Sequence, residues 1–439
     1  MSATLFPTAP GRLPSLHVFL DISRLLQVSA HATPTGIDRV ELAYARHFGT
    51  AAQGRCTFVA EIPLIGFAAL PFDLVRELVS ALTEVWSSGE PAPARRIAAK
   101  LRLSMPMGRA RLGSALARPG PKVLLVASHR VLERPRHIGA MRRRGCLFVP
   151  FIHDLIPLNH PEFARPGHAA RHEKRITTTA QYSDAIVVNS AATAAELAPW
   201  LSGRLDSPPV AIAPLGVSPA RVPQPPVALR PYFVVLGTIE PRKNHILLLH
   251  IWRQLGASLG SQAPRLVVVG KRGWENENVL DLLERCRDFD GTVQEAGCLP
   301  DHEVASLLRG ARALLFPSFA EGYGLPVAEA LGLGVPVLAS DIAALREVAG
   351  GVPEYLDPVD GVAWRNAILD YARPDSAARR AQLARIQAWT PPSWDDHFEV
   401  VEETLRTLTG RPGVPLAPAV QRPPRRAPVL VGHAGDGGA

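Results

Sequence analysis

The chain is poor in cysteine and has no long apolar run. It contains 4 cysteines among 439 residues, without a C-x-x-C pair or the spacing of a metal site: Cys56, Cys146, Cys286 and Cys298. Thiols this sparse argue against a secreted disulfide scaffold. Because no apolar stretch reaches about 18 residues, a transmembrane helix is not expected. The first residues lack the basic start and cleavage site of a signal peptide, so we expect a cytoplasmic protein.

Aromatic residues are also scarce. They make up 6% of the chain, and no motif interleaves them with basic residues, which argues against a nucleic-acid partner. The net charge is nevertheless +8. An anionic membrane surface or a phosphorylated ligand would explain this excess. An arginine-rich genome composition alone would explain it too.

Residues 91–118 contain no acidic side chain. Their cations are interleaved with apolar residues that include Ile97, Leu101, Met105 and Leu112. A basic amphipathic stretch of this kind favours contact with an anionic membrane surface, which would place the protein peripherally on the inner face of the membrane. A solvated basic face or a flexible insertion explains the pattern equally well.

Short apolar stretches alternate with segments of helical periodicity in both halves of the chain, as in parallel sheets that are covered by helices on both faces. Predicted strands lie at 16–21, 57–62, 123–128, 147–153, 185–189, 232–237, 265–270, 313–318 and 336–340. Predicted helices include 37–48, 246–255, 303–309, 326–333 and 394–408. The sequence therefore predicts an α/β fold with two doubly wound, Rossmann-like domains.

Four prolines between positions 216 and 230 interrupt the alternation and predict a linker. Residues 1–215 then form an N-terminal domain and residues 231–392 a C-terminal domain. A helix follows at 393–410, with the option of packing back on the N-terminal domain. The end of the chain, 411–439, is rich in Pro, Gly and Arg and predicts a disordered tail.

Two loops that follow predicted strands carry paired cations. In 237–244, GTIEPRKN, the strand ends at Gly237, and Arg242 and Lys243 stand just before a helix. Cations at a helix start oppose the helix dipole, so a bound anion explains them better than helix stability does. A solvated helix start is the plainer alternative. In 269–274, VGKRGW, Lys271 is placed to face a phosphate or a base, which is a weaker pattern.

The loop after the predicted strand 313–318 is rich in glycine and carries two carboxylates. It reads FPSFAEGYGLPVAEA over 316–330. Gly322 and Gly324 let backbone amides approach a ligand, and Pro326 suits the first turn of a helix whose positive end favours an anion. Glu321 and Glu329 bring negative charge into the same crevice, which is costly unless each has a specific partner. A helix-stabilising role is the alternative for Glu329.

This stretch resembles the E-x7-E signature of retaining GT-B glycosyltransferases, with Glu321 and Glu329 at the required spacing. The resemblance continues through GTIEPRKN, VVVGKRGW, LLFPSFAEGYGLPVAEALGLGVPVLASD and LREVAGG, and it is close over 232–358. In the N-terminal half it is weaker, with TGIDRVE at 35–41 and FIHDLIPLNHPE at 151–162. Together the motifs look like glycosyltransferase family 4, in its O-antigen and capsule mannosyltransferase branch. The implied fold is GT-B, two Rossmann-like domains that face a central cleft.

The resemblance also implies roles in the C-terminal domain, which would bind the nucleotide-sugar. Arg242 and Lys243 would hold the donor diphosphate, Glu329 the nucleotide ribose, and Glu321 the hydroxyl groups of the transferred sugar. The predicted donor-binding residues are Gly36, Gly237, Arg242, Lys243, Lys271, Gly322, Tyr323, Gly324, Leu325 and Glu329, and the predicted catalytic residues are His153 and Glu321.

The N-terminal domain lies on the acceptor side in this resemblance. Gly36 would let the chain approach the diphosphate or the acceptor, and His153 would point into the cleft near the reacting carbon, although a lone histidine is more often structural. Asp154 is expected to cap or orient its neighbours. Asp38 and Arg39 would contact the acceptor or pair on the helix surface.

The expected reaction is transfer of a hexose, with mannose from GDP-mannose as the best match, to a glycan or polyprenyl-linked acceptor in surface polysaccharide biosynthesis. The two cations and the positive helix end would stabilise the departing diphosphate. No D-x-D triplet stands in a credible site, so neither a metal nor a cofactor is expected. Two alternatives stay open: a retaining transferase that uses a UDP-sugar, and a non-catalytic scaffold that binds nucleotide-sugars.

Overall fold

The computed structural model describes residues 16–50, 54–89, 92–203, 206–217 and 230–409. They form two α/β domains, one on each side of residues 217–230. The predicted linker at 216–230 lies outside the described residues except at 216, 217 and 230, and the predicted tail at 411–439 lies wholly outside them.

The N-terminal domain is built on one sheet covered by helices. Its strands are β1 (His17–Asp21), β2 (Cys56–Ile62), β3 (Gly66–Ala69), β4 (Lys122–Val126), β5 (Cys146–Ile152), β6 (Ile186–Val188) and β7 (Val210–Ile212), in the order β3-β2-β1-β4-β5-β6-β7. Its helices are α1 (Ser23–Val28), α2 (Gly36–Thr50), α3 (Phe72–Ser88), α4 (Ala92–Leu116), α5 (Pro135–Arg143), α6 (Ile156–Asn159), α7 (His168–Tyr182) and α8 (Ala191–Leu201). Most strand residues are apolar, and apolar clusters cover both faces of the sheet.

One strand departs from the predicted parallel arrangement. The chain reverses at Leu64, whose φ is 67°, and β3 pairs antiparallel with β2. The expectation of a wholly parallel sheet is therefore wrong at this edge. The connection between β2 and β3 is long enough for a hairpin but far too short for a crossover, which takes a dozen or more residues.

The C-terminal domain repeats the architecture with parallel strands. They are β8 (Tyr232–Leu236), β9 (Arg265–Val269), β10 (Val293–Gly297), β11 (Leu314–Phe316), β12 (Val337–Ser340) and β13 (Glu354–Leu356), in the order β10-β9-β8-β11-β12-β13. The helices are α9 (His245–Leu259), α10 (Glu277–Arg285), α11 (Asp301–Gly310), α12 (Leu325–Gly332), α13 (Ala343–Ala349), α14 (Gly361–Ala372) and α15 (Ala377–Gln387). Each face of this sheet again has its own apolar cluster.

The last helix, α16 (Trp394–Thr409), packs on the N-terminal domain. His397 is buried there, with its Nε2 3.0 Å from the Tyr44 hydroxyl, and Phe398 joins the same apolar cluster. The chain thus passes between the domains twice. The two connecting segments contact each other, because the amide of Val217 donates to the carbonyl of Pro392 at 2.9 Å.

Helix α4 shows that the basic segment 91–118 is not a flexible insertion, so that interpretation is wrong. It packs on α3 and β3 through buried residues that include Leu101 and Leu112. Its other face carries the cations together with Leu103, which is 80% exposed, and Met107, which is 63% exposed. Among the described residues, no helix combines the length and apolar character needed to cross a bilayer.

We predict opposite effects for two glycines of α4. A Cβ at Gly108 would lie 2.5 Å from the carbonyl oxygen of Ala69, whereas a Cβ at Gly113 would meet nothing within 4 Å. Gly108→Ala should therefore lower the free energy of unfolding by about 1–3 kcal/mol, and Gly113→Ala should raise it by about 0.5–1 kcal/mol because alanine favours the helix. Urea unfolding followed by circular dichroism measures both, and equal effects of the two changes would contradict the close packing of α4 on β3.

Candidate functional site

The cleft lies between the carboxyl-end edges of the two sheets. In parallel sheets the helices that follow the strands begin at this edge. Gly36 starts α2 and Leu325 starts α12, and a Cβ at Gly36 would lie 3.6 Å from the Cδ1 atom of Leu325. The positive ends of two helices from different domains therefore approach the same point.

The predicted cations converge on one predicted carboxylate. Residues 317–324, the donor loop, connect β11 to α12 and carry Glu321. One oxygen of Glu321 lies 2.8 Å from Arg242 Nη1, and the other lies 2.6 Å from Lys243 Nζ. Arg242 also binds the carboxylate of Glu240 at 2.6 Å and donates to the carbonyl of Ala320 at 2.7 Å. This geometry fixes the donor loop against the start of α9.

Burial and neighbouring charges shift the pKa values of these groups in opposite directions. The side chain of Glu321 is 8% exposed, and burial opposes its ionisation, but Arg242 and Lys243 outweigh that effect and lower its pKa to about 2. Burial lowers the pKa of Lys243, and the carboxylate of Glu321 offsets part of that change. Glu321 is thus ionised at neutral pH and held by two donors, as a carboxylate in a crevice requires.

The second carboxylate of the motif has a different environment. Burial raises the pKa of Glu329, and the charge of Arg39 offsets part of the rise. Arg39 itself forms a two-pronged ion pair with Asp301, at 2.7 and 2.6 Å. Because Arg39 lies on α2 and Asp301 on α11, this pair joins the two domains beside Glu329. Arg39 therefore does not pair along its own helix surface.

The start of α2 is rigidly held. The carboxylate of Asp38 accepts hydrogen bonds from the amide and the hydroxyl of Thr35, both at 2.7 Å, and pairs with Arg24 at 2.6 Å. This is the reciprocal part of a helix-capping arrangement. Asp38 is completely buried, so it contacts neither solvent nor an acceptor, and it serves to position Gly36.

His153 follows β5 and lies at the cleft edge, but its ring is tied to its own sheet. Its Nε2 donates to the carbonyl of Ala127 at 2.8 Å, and its amide donates to His129 Nε2 at 3.0 Å. Burial lowers the pKa of His153 to about 4, so the imidazole is neutral at neutral pH. Its catalytic role stays a prediction. The neighbouring Asp154 accepts a hydrogen bond from the amide of Ile156 at 3.2 Å, within its own loop.

The glycines of the donor loop sit in direct contact with neighbouring chain segments. A Cβ at Gly322 would lie 2.3 Å from the carbonyl oxygen of His153, so the backbones of the two domains touch here. Gly324 precedes α12 with φ at 102°, a conformation that favours glycine. The Tyr323 hydroxyl donates to the carbonyl of Leu215 at 2.8 Å, so this side chain contacts the N-terminal domain.

Two other predicted donor-binding residues follow β8 and β9. Gly237 follows β8 with φ at 147°, a conformation that favours glycine, and a Cβ there would be in ordinary contact with Lys243 Cε at 3.4 Å. Lys271 is exposed after β9. Its carbonyl accepts from the amide of Ile239 at 2.9 Å, which pairs the two loops through backbone atoms.

Several contacts between the two domains were not predicted from the sequence. They involve Asp301, Ser190, Thr193 and Glu347. The sequence did carry one usable signal, because Ser190 stands directly before an alanine-rich helical stretch and is therefore a good N-cap candidate. Its partner in the other domain could not be read from this pattern.

We predict a pH-dependent stability difference at Glu321. Its folded pKa of about 2 lies below the ordinary value of 4.5, so its contribution is present above pH 4.5 and is lost as the pH falls toward 2. Glu321→Gln should lower the free energy of unfolding by about 3 kcal/mol at pH 7, because it leaves the buried Lys243 without its carboxylate partner, while Arg242 keeps Glu240. Thermal unfolding between pH 3 and 7 should show that the stability difference between the wild type and Glu321→Gln becomes smaller at the acid end. A gap independent of pH would contradict the assignment, and Glu277→Gln, an exposed carboxylate, is the control.

Comparisons with known proteins agree with this geometry. Residues 222–351 match the family model described as "Glycosyl transferases group 1". O-antigen chain mannosyltransferase B of Escherichia coli is 35% identical over 170 residues, which cover 39% of this chain and 44% of that protein. Serotype-specific mannosyltransferase WbdA of Escherichia coli is 26% identical over 242 residues, which cover 51% of this chain and 29% of that protein. The chain thus spans less than half the length of these curated relatives.

The fold is shared with solved glycosyltransferase structures. The Anabaena protein Alr3699/HepE, solved in complex with UDP, superposes with a TM-score of 0.57 at 13% identity, over 89% of this chain and 99% of that one. This likeness concerns the arrangement of the two domains, while the match to the family model concerns the segment that carries Arg242, Lys243 and Glu321. Residues 222–351 are therefore similar to the family described as glycosyl transferases group 1, within a chain that has the GT-B fold.

Proposed function

We propose that this protein is a retaining glycosyltransferase that transfers mannose from GDP-mannose to a glycan or polyprenyl-linked acceptor in surface polysaccharide biosynthesis. One observation carries the proposal: Arg242 and Lys243 both bind Glu321, and four residues farther along the chain the start of α12 meets the start of α2 from the other domain. Glycosyl transfer needs positive charge at that point, because a diphosphate leaves as the bond to the sugar breaks.

The donor diphosphate would compete with Glu321 for the same cations. Arg242 offers a planar fork that suits phosphate oxygens, and Lys243 adds a compact charge. The amides at the start of α12 add further donors. These groups supply the stabilisation that many transferases take from a metal ion, so the proposed reaction needs neither a metal nor a cofactor.

Retention of configuration is the proposed stereochemical course. Both oxygens of Glu321 bind cations at 2.6–2.8 Å, which makes this carboxylate a poor nucleophile. We therefore assign it to hydroxyl groups of the transferred sugar and assign no double displacement. The departing phosphate oxygen would take the proton of the acceptor on the same face of the sugar. His153, neutral at pH 7, would line the cleft near the reacting carbon.

The choice of mannose as the transferred sugar rests on the names of similar proteins. Two of the similar proteins carry the name mannosyltransferase, and one of them acts on an O-antigen chain by its name. Each match covers less than half of the relative, so mannose, its nucleotide and the acceptor are the parts of the proposal that most need an experiment.

The decisive assay measures nucleoside diphosphate release from GDP-, UDP-, ADP- and TDP-sugars with EDTA present. We expect release of GDP from GDP-mannose, and a loss of at least about a hundredfold in both Glu321→Ala and Lys243→Ala, by analogy with deleted oxyanion donors. Lys174→Ala, an exposed cation on α7, is the control and should keep full activity.

The other outcomes of this assay separate the alternatives. Release from a UDP-sugar would keep the mechanism and replace the donor. Saturable binding without release, even after acceptor glycans are added, would favour a non-catalytic scaffold. Absence of binding to every donor would contradict the transferase proposal as a whole.

We also propose that α4 contacts an anionic membrane surface on the cytoplasmic side, where a polyprenyl-linked acceptor would be presented. Leu103 and Met107 stand four residues apart on one exposed helical face, at 80% and 63% exposure. The cations around them include Arg95, Arg96, Lys100 and Arg109, all exposed. Such cations contribute about 1 kcal/mol each near an anionic surface.

Vesicle sedimentation tests this surface. Binding to vesicles that contain phosphatidylglycerol should exceed binding to phosphatidylcholine vesicles and should weaken with salt. The double change Leu103→Asp and Met107→Asp should weaken it about tenfold or more, since it removes the apolar contact and adds repulsion. Leu259→Asp, at a 41% exposed leucine of the C-terminal domain, should have no effect. Equal binding by all variants would contradict the proposal for α4.

A further inference from the structure

The start of α8 contacts the donor loop across the cleft. Ser190 is the N-cap of α8, and its hydroxyl oxygen accepts from the amide of Thr193 at 3.1 Å. The same hydroxyl donates to the carbonyl of Gly322 at 3.0 Å. Ser190 is completely buried. One side chain therefore caps a helix of the N-terminal domain and fixes the peptide that follows Glu321 in the other domain.

A carboxylate of the C-terminal domain covers the same helix start. The two oxygens of Glu347, on α13, accept from the amides of Ala191 at 2.6 Å and Ala192 at 3.2 Å. The first amides of a helix have no partner inside the helix, and negative charge is favourable there. Because α8 and Glu347 belong to different domains, these two hydrogen bonds depend on how the domains are placed relative to each other.

The contact extends to the other predicted catalytic residue. The side-chain amide of Asn189 donates to the carbonyl of His153 at 2.9 Å. That carbonyl oxygen lies against Gly322, since a Cβ at Gly322 would be 2.3 Å from it. Residues 189–193, Gly322 and Glu347, here called the α8 contact, thus fix the backbones of His153 and the donor loop relative to each other.

We propose that Ser190 and Glu347 are positioning residues that hold the donor loop in a fixed position against the N-terminal domain when the cleft closes. The inference rests on the proposed function, since the loop matters because it carries Glu321. Ser190 acts on the loop directly, through a buried hydrogen bond. Glu347 acts on closure, through an exposed pair of hydrogen bonds at a helix start.

The two residues should therefore affect different kinetic constants. Glu347→Ala removes the acceptor for two amides and lowers the population of the closed state, so the KM for the donor should rise about tenfold with a smaller fall in kcat. Ser190→Ala leaves Glu347 in place but removes the shorter of the two hydroxyl contacts with the Gly322 carbonyl, leaving that of Thr193 at 3.4 Å, so kcat should fall about tenfold or more with little change in KM. Ser190→Thr, which keeps the hydroxyl, should restore most of kcat.

Domain closure is measured separately, on the protein without ligand. Small-angle X-ray scattering should give a larger radius of gyration for Glu347→Ala than for the wild type, and an intermediate value for Glu347→Gln, which keeps one acceptor oxygen. Glu277→Ala is the control: this exposed carboxylate lies in the first turn of its own helix, α10, whereas Glu347 covers the start of a helix of the other domain. It should leave the radius of gyration and the kinetic constants unchanged.

The two sets of measurements keep this inference distinct from the proposed function. If the wild type turns over no donor, the transferase proposal fails, while the scattering comparison still decides whether Glu347 holds the domains together. A Glu347→Ala protein with the wild-type radius of gyration would overturn the role of Glu347. A Ser190→Ala protein with wild-type kcat would overturn the role of Ser190. If Glu347→Ala does not fold, Glu347→Gln provides the same comparison with a smaller expected change.

Discussion

The direction of the strands decides where charge accumulates in this protein. With the exception of β3, the strands of both sheets run parallel, so the helices that follow them begin at one edge. Each helix start carries partial positive charge. Where the two edges face each other, the start of α2 meets the start of α12, and Arg242 and Lys243 bind Glu321 in the loop that leads into α12. Such a concentration of positive charge requires an anion, and Glu321 provides one. A diphosphate has the right charge to take its place at the same donors.

The two carboxylates of the donor-loop motif are held in opposite ways. Glu321 binds two cations, and its pKa falls to about 2. Burial raises the pKa of Glu329, and the nearby Arg39 is shared with Asp301. Pairs of similar groups with diverging pKa values commonly have different tasks. Here one carboxylate balances the charges of Arg242 and Lys243, and the other is buried near the ion pair of Arg39 and Asp301.

The sequence predicted the elements of the cleft better than the contacts across it. The apolar strands and the cations at 242 and 243 could be recognised from local sequence patterns. The position of Glu321 in the same crevice also indicated that its carboxylate needs a specific partner. The partners of Arg39, Ser190 and Ala191 are 262, 132 and 156 residues away, so no local periodicity relates them. The ring orientation of His153 was likewise out of reach, because strand register places a residue at a sheet edge without choosing its rotamer.

The second passage of the chain between the domains limits how they can move. If 217–230 were the only connection, the domains could twist, slide or swing apart freely. The return of the chain to α16 adds a second connection, and Val217 and Pro392 bond the two connections together. Two adjacent strands of chain permit bending about one axis but resist shear and torsion. A bonded pair of connections therefore favours bending at Val217 and Pro392 over sliding of one domain past the other.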